Sequence, residues 1–249
     1  MTAFAKAQGV SEADEIAWRR KLAVMCRIVG MQGSIGLFGH ISIRIPDTDV
    51  ILITPGAGSE KTAVRTDEIF VFGLDGTIHY HPGGDRPMQI PAEWRIHTQI
   101  HRDRPSLMSV AHLHAEHSTL MGIARRPIVP VFAQGAMFEA GVPVWDNPRL
   151  VVNDALAVSL SQAMGETLAC QMRGHGSVVV GDTAELCLVA CTFIEENARL
   201  QIEAEALGGA VPFTPDEIRD CARGSTGGGL AGRLWDYWER RVVTAGLPL

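Results

Sequence analysis

Val110-Ala-His-Leu-His-Ala-Glu-His117 decides how this chain is read. Residues 110–113 are apolar but for one histidine and follow Pro105, the pattern of a short buried strand. Strand side chains alternate faces, so His112 and His114 point the same way. Two imidazoles then project together from a strand end. Neutral imidazole suits zinc and its transition-metal neighbours, which makes the pair a candidate metal site. Taken alone, such a pair is more often two core or surface histidines. The rest of the chain decides between these readings.

Upstream, residues 91–101 read as a helix with Pro91 near its first turn. Glu93 and His97 share one face at i, i+4, and His101 continues it. A carboxylate at a helix start also complements the macrodipole, so Glu93 has two readings here. Further back, Gly36-Leu-Phe-Gly-His-Ile-Ser-Ile-Arg44 is a glycine turn entering a strand, where backbone N–H groups can approach a ligand. Residues 50–54 form a strand without a polar face, hence buried on both sides. Thr54-Pro-Gly-Ala-Gly-Ser59 is a second glycine turn. Residues 69–72 are another strand, and Asp75-Gly76 marks a hairpin. Residues 80–88 form a polar loop. At the start, residues 1–10 read as a loose tail. Ser11 then caps a helix over 12–29, with Ile16, Leu22, Cys26 and Val29 on its buried side.

Downstream, a helix over 115–124 precedes a strand at 128–132 and a loop at 142–148 that carries Trp145. Asn153 caps a helix to 164. Gln171-Met-Arg-Gly-His-Gly-Ser-Val-Val-Val-Gly181 then sets a third histidine, His175, between two glycines before an apolar strand. The longest helix runs from 182 or 183 to about 207. Leu186, Val189, Phe193, Leu200 and Ala204 form its apolar stripe, and Gly208-Gly209 stops it. Pro215 opens another helix, residues 224–229 form a joint, and a final helix covers 230–243. Its Trp235, Tyr237 and Trp238 suit a subunit contact or packing on the chain's own core equally. No repeat or interdomain linker interrupts residues 1–249. The expectation is one domain with a mixed sheet and helices on its faces. Residues 210–249 form a helical extension.

Composition narrows the function. The 249 residues are 46% hydrophobic and 20% charged, with net charge -6, an ordinary globular balance. The acidic excess and the lack of a basic patch argue against nucleic acid. No apolar run reaches membrane length, so no membrane partner is expected. Five cysteines without a C-x-x-C pair suggest reduced thiols and a cytoplasmic protein. Cys187 and Cys191, one helical turn apart, are expected in the core. Glu12, Asp14 and Glu15 do not fit a signal peptide.

These segments, in this order, resemble the class II aldolase/adducin family. The matching pieces are Gly36 to Arg44, Ile53-Thr-Pro-Gly56, Glu93-Trp-Arg-Ile-His97, His112-Leu-His114 and Gly174-His-Gly176, within roughly residues 12–207. The resemblance implies a three-layer α/β/α fold around a mixed, largely antiparallel sheet. It implies a divalent metal, usually zinc, with manganese, iron or cobalt also compatible with three imidazoles. By matching position, His112, His114 and His175 are the expected ligands and Glu93 the expected acid/base. His117 and His97 are the fallback third ligands. Gly39, His40, Ser42 and Thr54 are the expected substrate contacts. Family enzymes are typically tetramers with active sites at subunit interfaces, so a homotetramer with the C-terminal extension at an interface is expected.

Three histidines leave open coordination positions, as catalysis requires. A small substrate chelating through two oxygens fits there, and the cation would stabilise the enolate-like charge left by carbon–carbon cleavage. The departures from the family pattern are informative. Sugar-phosphate aldolases of the family place serines just before the glutamate, where this chain has Pro91 and Ala92. Their Gly-Asn-x-Ser turn becomes Gly39-His40-Ile41-Ser42. Their interface tyrosine has no match near Phe132, and the chain has only Tyr80 and Tyr237. A phosphorylated sugar is therefore disfavoured, and His40 suits a carboxylate or phenolate. The Gly-His-Ile-Ser form resembles members that decarboxylate dihydroxylated aromatic acids in aromatic catabolism. The expectation is a lyase for such an acid, with retro-aldol cleavage of a non-phosphorylated hydroxy ketone second. A non-catalytic adducin-like binding module comes third, because that branch generally lacks the full set of histidines and the glutamate.

Overall fold

The computed structural model describes residues 10–83, 88–226 and 229–246. The expected tail over 1–9, residues 84–87 of the polar loop and residues 227–228 of the joint lie outside the described residues. Eight strands form one sheet: β1 (His40–Arg44), β2 (Val50–Ile53), β3 (Phe70–Gly73), β4 (Ile78–Tyr80), β5 (Ser109–Leu113), β6 (Val144–Trp145), β7 (Ala169–Met172) and β8 (Gly176–Gly181). Their spatial order is β4-β3-β2-β1-β5-β8-β7-β6. Every pairing is antiparallel except β6 with β7.

Helices cover both faces, which gives the three-layer α/β/α arrangement. α1 (Glu12–Met31), α5 (Ala184–Ala206) and α7 (Leu230–Thr244) pack on one face, against Ile41, Ile43, Ala111, Leu113 and Val179. α2 (Trp94–Asp103) and α4 (Asp154–Met164) pack on the other, against Val110, Cys170, Met172, Val178 and Val180. Period-two alternation sends Ile41 and Ile43 of β1 to the first face, and therefore His40 and Ser42 to the second. His112 follows Val110 to that same face. α3 (Glu116–Ile123) follows β5, and α6 (Pro215–Thr226) precedes α7.

The helix starts follow the cap signals. The Ser11, Asn153 and Thr183 side chains accept from the N–H groups of Asp14, Leu156 and Leu186. Cys26, Cys170, Cys187 and Cys191 are buried free thiols. Burial pushes Cys26 and Cys170 up to about 12.

Local expectations fail where backbone donors find other partners. Residues 128–132 form no strand, only an isolated bridge from Ile128 to Val142. Pro127 and Pro130 bring no N–H, and the N–H groups of Val129 and Val131 donate to Gln201 and Asn197 of α5 instead. Within the expected loop at 142–148, Val144 and Trp145 pair with β7. β7 itself was not anticipated. Its Gln171 breaks the apolar pattern, yet it is buried with its amide donating to the Arg126 and Val142 carbonyls. α2 begins at Trp94, because residues 91–93 turn first. Ile16 is exposed rather than buried, and α6 runs through Thr226 into the expected joint. Of the terminal aromatics, Trp235 is buried in the core and Trp238 packs beside it, whereas Tyr237 is exposed. Among the described residues, no helix is long and apolar enough to cross a membrane.

Candidate active site

The ends of β1 and β5, the start of α2 and the β7–β8 turn converge on one cavity of about 440 Å³. Gly39, His40, Glu93, His114 and His175 line it, with Phe38, Pro91, Pro148 and Leu150 as apolar walls. His112 and His114 leave the end of β5, with ring centroids 4.7 Å apart. His175 enters from the turn between β7 and β8, where Met172 pairs with Gly176. Its centroid lies 5.0 Å from His112 and 5.2 Å from His114. The turn depends on glycine. Gly174 has φ +67, and a side chain on Gly176 would collide with the Leu113 carbonyl.

A divalent cation fits these donors. One nitrogen from each of His112, His114 and His175 lies within 4.8 Å of the others. His112 Nδ1 sits 3.2 Å from the Ser177 carbonyl, which can only accept, so Nδ1 carries a hydrogen and Nε2 is the atom turned to the cluster. His112 Nε2 and both ring nitrogens of His175 are buried without a hydrogen-bond partner, a costly state for groups that do not coordinate. Burial, then the neighbouring His112 and His175, pushes His114 down to about 3, so it is neutral at pH 7 and able to ligate. The fallback ligands are engaged elsewhere. His117 Nδ1 is 2.7 Å from Glu195, and His97 bridges His40 and Ser42.

Glu93 is the N-cap residue of α2, with its side chain turned into the cavity rather than back on its own helix. Its Oε2 lies 3.3 Å from His175 Nε2 and 3.6 Å from His112 Nε2. Its Oε1 accepts from the Val151 N–H at 2.7 Å. Burial opposes ionisation of Glu93, but the facing His112 and His175 rings outweigh it and hold the carboxyl well below the usual carboxylate range. Glu93 also groups with His40 and His112 as a second possible donor set.

Two expected substrate contacts are elsewhere. Ser42 is fully buried behind His40, its hydroxyl taken by His97 and His101. Thr54 is fully buried, with its hydroxyl accepting from the Ile41 N–H. Ser42 sits in the middle of β1 and Thr54 just past β2, where histidine and backbone partners have first claim on their hydroxyls. The turn after Thr54 does reach the cavity, through Gly56 and Ala57. Buried Lys61 holds that turn by donating to the Pro55 and Gly56 carbonyls and to Ser59. The Val151 donor was not foreseen, because a backbone group leaves no sequence signal. The Pro148 and Leu150 wall comes from a loop without regular pattern. The engagement of His97 and His101 was readable from their one-turn spacing opposite His40-x-Ser42.

Residues 20–202 match the Class II Aldolase and Adducin N-terminal domain. A 3,4-dihydroxyphthalate decarboxylase from Terrabacter sp. (strain DBF63) is 34% identical over 208 residues, covering 81% of this chain and 87% of that protein. One with the same activity name from Rhodococcus jostii (strain RHA1) is 29% identical over 242 residues, covering 94% of this chain and all of that protein. A crystal structure of an aldolase II superfamily protein from Pseudomonas syringae superposes with a TM-score of 0.83 at 20% identity, over 97% of this chain and 98% of that one. The chain belongs to the class II aldolase and adducin family. It is a lyase of that family, with a histidine and glutamate cluster able to hold a divalent metal.

Proposed function

We propose that this lyase depends on a divalent metal and decarboxylates a dihydroxylated aromatic acid of the dihydroxyphthalate type. The observation that carries the reading is Glu93, a buried carboxylate aimed between His112 and His175 at a cavity with apolar walls. Phe38, Pro91, Pro148 and Leu150 suit an aromatic ring. Among the described residues, the lining holds no lysine, arginine, serine or threonine for a phosphate. The activity named for the Terrabacter and Rhodococcus relatives supports the substrate class.

His112, His114 and His175 would hold the metal, with zinc first and manganese, iron or cobalt as alternatives. A cation bound there supplies Lewis-acid stabilisation of charge developing on substrate oxygen. Glu93, ionised at rest, accepts a proton from a substrate hydroxyl and returns it to the ring carbon that carbon dioxide leaves. The cleaved bond's electron pair stays on that carbon until the proton arrives. Exposed Leu37, Phe38, Leu120, Ile123, Leu150 and Val152 support a second subunit near the mouth and the homotetramer reading. The free thiols support a cytoplasmic setting.

The test is bound metal per chain, followed by product analysis with dihydroxybenzoic and dihydroxyphthalic acids. Stoichiometric metal with carbon dioxide release is expected. An aldehyde from a hydroxy ketone, without carbon dioxide from any acid, would establish the retro-aldol alternative. No metal after reconstitution and no product would establish the binding-module alternative.

A further inference from the structure

Behind one wall of the cavity sits a buried cation that the proton transfer by Glu93 does not use. Lys61 is 1% exposed and opens a single helical turn over Lys61–Ala63. α1 seats that turn. Arg27 Nε donates to the Val64 carbonyl at 2.8 Å, and a Cβ on Gly30 would lie 3.3 Å from the Lys61 carbonyl carbon. Lys61 Nζ reaches the Pro55 carbonyl at 2.5 Å, the Gly56 carbonyl at 2.8 Å and Ser59 Oγ at 2.8 Å. The Ser59 hydroxyl donates its own hydrogen to the Gly56 carbonyl at 3.1 Å, so all three partners of Lys61 accept. Three accepting partners need three hydrogens, and Lys61 is therefore an ammonium. Among the described residues no carboxylate pairs with it; its partners are these three oxygens. A buried charge without a counterion is costly, and an anion in the adjoining cavity would offset it.

The two carbonyls fix where the matching N–H groups point. A trans peptide is planar, with its C=O and N–H on opposite sides. The Pro55 carbonyl faces Lys61, so the Gly56 N–H faces away, and it donates to the Gln89 carbonyl at 2.8 Å. The Gly56 carbonyl also faces Lys61, so the Ala57 N–H faces away as well. Gly56 and Ala57 line the cavity, and among the described residues nothing accepts from the Ala57 N–H. The Lys61 charge pulls on both carbonyls, which polarises the two peptide groups and strengthens their N–H groups as donors. Positive potential thus reaches a cavity whose described lining holds no lysine or arginine.

We propose that Lys61 is a positioning residue that turns the Ala57 N–H toward the cavity and strengthens it, so that this N–H receives a carboxylate of the substrate acid while the acid's hydroxyls face the histidine cluster. A dihydroxyphthalate loses one carboxylate and keeps the other. The retained group is the one suited to Ala57, because a strong donor stabilises a carboxylate as an anion. The choice of acid rests on the proposed decarboxylase reading. The orientation of Ala57 by Lys61 does not.

Two probes of the zinc-loaded full chain separate charge from shape. 3,4-Dihydroxybenzoate has two hydroxyls and one carboxylate, and catechol has the hydroxyls alone. In nitrogen-labelled protein the Ala57 amide signal is expected to move on adding dihydroxybenzoate and to stay in place on adding catechol. An amide that ignores the acid, or moves equally with both, overturns the proposal. By calorimetry, Lys61→Met should weaken dihydroxybenzoate about tenfold, with catechol binding and zinc content unchanged. Equal weakening of both probes makes Lys61 merely structural and overturns the proposal, as does unaltered binding of the acid. The amide titration, made on the unaltered sequence, decides alone where Lys61→Met does not fold. Dihydroxybenzoate seated at Ala57 in a protein that releases no carbon dioxide from any dihydroxyphthalate leaves the role of Lys61 standing and removes the decarboxylase reading.

Discussion

The backbone N–H of Val151 donates to Glu93 Oε1 at 2.7 Å, joining residues 58 positions apart. That bond occupies one carboxylate oxygen and turns the other toward His112 and His175. The loop that supplies Val151 also supplies the Pro148 and Leu150 wall. The wall and the acid/base are thus set by the same segment.

Glu93→Gln keeps an oxygen for Val151 but cannot move a proton. The expected outcome is full metal content with kcat lowered roughly 10²- to 10⁴-fold. Steady-state kinetics beside metal analysis reads both quantities. Near-normal turnover would remove Glu93 from the chemistry. Loss of metal would make it a ligand, as its grouping with His40 and His112 permits.

His175→Ala leaves two imidazoles, and metal content should fall to a small fraction of wild type. Elemental analysis after gel filtration checks this. Full occupancy would move the third ligand to another residue, with Glu93 the nearest oxygen donor.

Gly39→Ala should destabilise the protein by about 1–3 kcal/mol, because φ at Gly39 is +92. The new Cβ would lie 2.5 Å from Ile35 Cγ2 and 3.0 Å from the His112 carbonyl. A lower melting temperature and looser metal binding are expected together, since the strain reaches the strand that carries His112. An unchanged melting curve would show that Ile35 yields freely.

Acid should unfold the metal-free protein early. Burial, then the Arg44 charge, lowers His101 from 6.5 to about 3 in the folded state. The folded chain therefore stays neutral there while the unfolded chain gains a proton. The stability this group contributes is complete above about pH 6.5 and is lost as pH falls toward 3. His101 alone gives a slope of about 1.4 kcal/mol per pH unit within that window. His40 and His97 are lowered too and add in the same direction. Urea midpoints at pH 7, 6 and 5 in chelator should fall steadily, and a flat series would contradict the buried neutral rings.

Much of the sheet was legible because its strands are short apolar runs set off by glycine turns, as at 50–54 and 69–72. The strand expected at 128–132 was misread for a local reason. Its apolar pattern is genuine, but two prolines and two α5 amides take the backbone away from the sheet. In the site, His112 and His114 stood out by their spacing, His175 and Glu93 only through the family resemblance, and the fold brings all four together. Ser42 and Thr54 are buried behind the cavity lining, which was hidden because one sequence position does not say which side of a histidine a hydroxyl occupies. The Val151 N–H and the apolar wall were hidden, since backbone donors and irregular loops carry no pattern.

The three imidazoles are held by β5 and the β7–β8 hairpin in the middle of the sheet, whereas Phe38, Pro91, Pro148 and Leu150 stand on connecting segments. The two parts can therefore vary separately. Loop replacements could change which acid is accepted while the donor cluster and its register stay as they are. An engineer seeking a new substrate would leave the strands alone and diversify the segments around residues 36–39, 90–92 and 147–151.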